Sequence, residues 1–112
     1  MSNLLTLIIV KEIKDNIDQI NALCNAHSVA SLFAFGSVVS DKLNAESDID
    51  LIVDINSSDP IAYSDNYFAL KFQLEDILKR PVDLLEAKSL KNPFLKKQID
   101  DTKVLVYGSI VN

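Results

Sequence analysis

The chain has 112 residues, 48% hydrophobic and 24% charged, with 16 acidic against 11 basic side chains and a net charge of -5. That composition suits an ordinary globular protein, expected as a single domain over residues 1–112 with room for one core and none for a second substrate-binding domain. The acidic balance excludes a free-standing nucleic-acid binder, whose affinity would rest on lysine and arginine at phosphates. The single cysteine, Cys24, excludes an internal disulfide framework and fits a reducing cytoplasm.

Near the N-terminus, the apolar run Leu4 to Val10 lacks a basic leader and a small-residue cleavage site, so neither a signal peptide nor a membrane span is expected. Ile9, Ile13, Ile17, Ile20 and Cys24 recur at intervals of four and three, which predicts one helix that ends near Asn25 to Ser28. His27 falls in its exit and reads as a surface or capping residue. A strand is expected over 29–35, delivering Gly36-Ser37, then a short helix or turn over 38–46 and a second strand over about 48–55.

Asn56 to Pro60 has the composition of a loop. The next helix is announced by Tyr67, Leu70, Leu74, Ile77 and Leu78, with Ser64 or Asp65 as candidate caps. Tyr63, Tyr67, Phe68 and Phe72 read as core and helix-packing residues. A strand over about 82–85 follows Lys79-Arg80-Pro81, Asn92-Pro93 opens a last helix to about Asp101, and residues 103–108 read as a final strand. Alternating helices and strands predict an α/β domain with helices packed on a sheet.

The chemistry concentrates between Phe33 and Val53. Side chains alternate along a strand, so Asp48 and Asp50 share a face, with alpha carbons about 6.6 Å apart. Ile49, Leu51, Val53 and Ile55 line the other face. Two like charges side by side raise each other's pKa unless a cation neutralises them, and magnesium takes one or two carboxylates together with substrate phosphates. An isolated D-x-D is more often a strand end in solvent than a metal site. Here, however, it follows Gly36, a strand-end residue that permits close backbone approach, and Ser37, whose hydroxyl beside free N–H groups suits phosphate oxygens.

Phe35-Gly36-Ser37, a spacer, and Asp48-Ile49-Asp50-Leu51 resemble the signature of the polymerase-beta-like nucleotidyltransferase superfamily, and the short chain resembles its minimal nucleotidyltransferase (MNT) branch. The resemblance implies a mixed sheet and a third carboxylate on a later strand, supplied by Asp83 in Pro81-Val82-Asp83-Leu84-Leu85. It implies two magnesium ions held by Asp48, Asp50 and Asp83, a nucleotide triphosphate (ATP by family expectation) cradled at Gly36 and Ser37, and transfer of a nucleoside monophosphate to a hydroxyl. Without the resemblance Asp83 reads as an edge residue or an ion-pair partner. Val38, Val39 and Ser40 stand where many members carry an arginine, leaving phosphate charge to metal, backbone and Lys42.

In this branch the partner is often a small helical HEPN protein, the two forming a toxin and antitoxin in which AMP is added to a tyrosine of the toxin. Two competing readings are a stand-alone enzyme acting on a small molecule and an antitoxin that works by binding alone. A homo-oligomer is compatible with the exposed apolar positions.

Overall fold

The computed structural model describes residues 12–35 and 48–108. Four strands form one mixed sheet: β1 (Val29–Phe35), β2 (Ile49–Ile55), β3 (Val82–Glu86) and β4 (Val104–Gly108), in the order β3-β2-β1-β4. β1 runs antiparallel to both β2 and β4, whereas β2 and β3 are parallel. The parallel pair needs a crossover, and the helix α2 (Pro60–Leu78) provides it.

Alternation divides each strand between two apolar layers. Leu32, Ala34, Leu51, Val53, Val82 and Leu84 point into the larger layer, where Ile20, Leu23 and Cys24 of α1 (Ile17–Ala26) and Leu70, Leu74 and Leu78 of α2 meet them. Phe33, Phe35, Ile52 and Leu85 point to the opposite face and are covered by Leu95 and Ile99 of α3 (Pro93–Thr102), with Leu90. The expectation of helices packed on a mixed sheet is met, with a short 3-10 turn, Ala87–Ser89, added after β3.

The first helix is not continuous. Residues 12–15 are helical, but Asn16 breaks from helical geometry at φ −109, ψ 16. Its side-chain Nδ2 donates to the Glu12 carbonyl at 2.8 Å, a local bond of the kind by which asparagine competes with the helix. Ile13, Ile20 and Cys24 are buried on the expected stripe, and His27 is the C-cap. Ile9 lies outside the described residues.

Helix α2 begins earlier than its apolar spacing suggests. Asp59 rather than Ser64 or Asp65 is its N-cap, accepting from the Ile61 N–H at 3.3 Å, and Pro60 occupies the first turn. Proline there surrenders only an N–H that would lack a helical partner anyway, and its φ is already set for a helix. The residues that read as a loop are therefore a start signal. Phe68 and Phe72 depart from their expected core role: they are 52% and 59% exposed and stack on one another at 6.2 Å.

At the other end α3 follows expectation, with Asn92 Oδ1 accepting from the N–H groups of Phe94 at 2.9 Å and Leu95 at 3.3 Å. β4 ends at Gly108, paired with Ser31 at φ +95, where a β carbon would stand 2.3 Å from the Ala30 carbonyl oxygen. Only glycine permits both that angle and that approach.

Candidate active site

Strand register places the acidic residues. In the parallel β2–β3 pair Asp50 lies directly opposite Asp83, and in the antiparallel β1–β2 pair Asp50 lies opposite Phe35. Residues opposite one another in a ladder share a face, so Phe35, Asp50 and Asp83 form one row across three strands. The row behind it, Phe33, Ile52 and Leu85, is apolar and covered by α3. The carboxylates thus stand where the small apolar layer stops.

Asp50 is half-buried, Asp83 is exposed, and Asp48 is exposed just ahead of β2, which starts at Ile49. The Ile49 N–H donates to the Pro81 carbonyl at 3.0 Å, tying the heads of β2 and β3 together. Among the described residues no three carboxylate, imidazole or thiol side chains form a ready-made metal cage. The backbone unites Asp50 with Asp83, and Asp48 stands two residues upstream. Gly36 and Ser37 directly follow Phe35 in sequence; with Val38, Val39, Ser40 and Lys42 they lie outside the described residues.

The donor set fits magnesium. Two carboxylates in register on one face repel each other, and both are hard oxygen donors of the sort a magnesium ion uses one or two at a time when it arrives with phosphates. Asp48, Asp50 and Asp83 would hold it.

The neighbouring polar groups are occupied elsewhere. Asp54 shares the face of Asp50 but lies at the far end of β2, where its buried Oδ1 accepts no hydrogen bond and has the Lys88 ammonium at 3.5 Å. Lys88 also donates to the Ile55 carbonyl at 3.0 Å. Tyr67 donates to the Leu84 carbonyl at 2.5 Å; burial first, then the charges of Glu86 and Asp83, hold its phenol above the usual range. Glu75 of α2 accepts from the Val82 N–H at 2.9 Å, which fixes the start of β3 beside Asp83. Nothing in the sequence pattern singles out Glu75, because a helical glutamate reads as surface until its helix is laid against a strand.

The fold is that of a nucleotidyltransferase domain. The model of the family described as Polymerase beta, Nucleotidyltransferase matches residues 18–111, and the chain belongs to that family. A protein of Methanocaldococcus jannaschii named "Putative protein adenylyltransferase" is 36% identical over 84 residues, 75% of this chain and 83% of that one. Among solved structures, a "putative minimal nucleotidyltransferase" superposes with a TM-score of 0.69 at 24% identity, covering 84% of this chain and 92% of that chain. A chain from the complex of a tri-AMPylated Shewanella oneidensis HEPN toxin with an MNT antitoxin superposes at 0.59 and 24% identity, over 87% of this chain and 73% of that one.

Proposed function

We propose that this nucleotidyltransferase transfers AMP from ATP, with magnesium, to a tyrosine hydroxyl of a cognate HEPN-type toxin and so acts as its antitoxin in the cytoplasm. The observation that carries the reading is the register of Asp50 with Asp83 beside the strand that leads into Gly36-Ser37. The protein-adenylyltransferase name of the archaeal relative and the AMPylated toxin in the related complex support the choice of AMP and of a protein acceptor.

In this reading Gly36 and Ser37 receive the β and γ phosphates, and Asp48 and Asp50, with Asp83, would hold the magnesium that meets the phosphate charge. Asp83 accepts, or hands on to solvent, the proton of the acceptor hydroxyl. The hydroxyl oxygen bonds to the α phosphorus as the bond from that phosphorus to the bridging oxygen breaks, so pyrophosphate leaves with the electron pair. Bound magnesium would supply charge neutralisation at the phosphates and at the attacking and leaving oxygens.

The test incubates the protein with magnesium, ATP and the purified HEPN-type partner and follows the partner's mass. Addition of AMP to a partner tyrosine is expected with the wild type and not with the Asp48→Asn/Asp50→Asn double variant. Equal modification by both proteins would remove the acids from the mechanism. Toxin neutralised by the double variant without modification would instead favour action by binding alone.

A further inference from the structure

Beyond Phe35, the row of Asp50 and Asp83 points toward Lys103, the residue just before the fourth strand. Phe33 pairs with Leu105 and Ala34 with Val104, so one further step of the same register sets Lys103 beside Phe35. Lys103 is extended, at φ −65 and ψ 146, and its N–H donates to the Ile99 carbonyl at 2.7 Å, so the end of α3 anchors its backbone. Its ammonium lies 4.5 Å from the centroid of the Phe33 ring, on the carboxylate face, and 3.0 Å from Asp100 Oδ1. Two inter-strand spacings separate its backbone from that of Asp50, about 10 Å.

We propose that Lys103 is a phosphate-binding residue of this site, its ammonium contacting the β and γ phosphates of the nucleotide. The assignment rests on the nucleotidyltransferase reading above. A triphosphate brought to a face bearing Asp48, Asp50 and Asp83 meets like charge, and residues 36–47 contribute a single basic side chain, Lys42. Lys103, one residue ahead of β4, has its ammonium on the sheet face of the acids, at the Phe33 ring. The Phe33 ring and Asp100 hold the ammonium there, which reduces the freedom a lysine would lose on binding. A phosphate chain takes the place of Asp100 as partner, as one charge-assisted contact exchanged for another.

Calorimetric titration with magnesium and AMP-PNP, and in parallel with AMP, tests the assignment on the folded chain. Lys103→Met keeps an unbranched side chain and removes the charge. It is expected to weaken AMP-PNP binding by about tenfold while leaving AMP, which lacks the outer phosphates, within about twofold. Lys103→Arg should retain most of the affinity, and Asp100→Asn, which frees the ammonium, should bind AMP-PNP at least as tightly as the wild type. Unchanged AMP-PNP affinity in Lys103→Met overturns the assignment. So does an equal loss in Asp100→Asn, which would mean that the ion pair only supports the fold. A folded wild type that binds no AMP-PNP overturns the underlying nucleotidyltransferase reading, and the assignment with it.

Discussion

Cys24 and Tyr63 show how far burial, alone or with a neighbouring charge, moves a side chain's chemistry. Cys24 is fully buried between α1 and the sheet, and desolvation pushes its thiol from 9.0 up to about 12. Its pKa rises on folding, so its contribution to stability is complete below pH 9 and is lost as the pH climbs toward 12. Tyr63 behaves alike: burial, then the Glu86 carboxylate and its hydrogen bond to the phenol, raise it from 10.0 to about 12. Reaction of the native protein with a thiol reagent at pH 8 should be slower than in the urea-unfolded chain by a factor on the order of a thousand, following the thiolate fraction. Equal rates in the two states would show that the α1 face opens readily. Helical spacing reveals that Cys24 is apolar core. The Tyr63–Glu86 bond is hidden in the sequence, because it joins the first turn of α2 to the end of β3.

Among the secondary elements, legibility depended on whether a signal was local. Asn92-Pro93 announces α3 because cap and proline are adjacent, and Val82-Asp83-Leu84 shows its two faces by alternation alone. Asp59-Pro60 carries the same cap-and-proline signal, but the serines and asparagine before it obscure it. Asp50 and Asp83 could be matched to each other only by family resemblance, since register across a helical crossover is set by packing. Exposure of Phe68 and Phe72 was equally illegible: α2 has apolar residues on both sides, and only the sheet decides which side is covered.

Helix ends provide a test of opposite signs. Asn92→Ala removes the acceptor for two N–H groups and is expected to cost about 1 kcal/mol. Lys79 caps α2 in the left-handed region at φ 57, so Lys79→Gly should be neutral or stabilise by up to about 1 kcal/mol. Urea denaturation of the two variants measures both. A destabilised Lys79→Gly would mean that its side-chain contact with Asp76, 3.8 Å away on the helix surface, outweighs the backbone strain.

At the level of the whole molecule, two layers share one sheet unequally. The larger, between the sheet and α1 with α2, holds most of the buried apolar side chains. The smaller, beneath α3, has three buried residues, Phe35, Ile52 and Ile99. Its thinness leaves the heads of the strands open, which lets acids stand on the same face as an apolar cluster without being buried in it.

The strand order also sets a sequence of events in time. β1 and β2 are near neighbours along the chain, and β2 and β3 are joined by one crossover helix, whereas β4 returns from the far end to pair with β1. Loop-closure entropy delays contacts between distant segments, so a nascent chain is expected to set Asp50 beside Asp83 before Lys103 reaches its place. Leu105→Ala, at the late-arriving edge, should mainly accelerate unfolding, while Leu74→Ala, where α2 meets the sheet, should slow folding; stopped-flow kinetics of the pair would reveal the opposite order if β4 docks first. Until that edge closes, Asp50 and Asp83 are already in register while the fourth strand is still absent, and the interval between the two events is the period in which the heads of β2 and β3 are aligned on a sheet that is not yet finished.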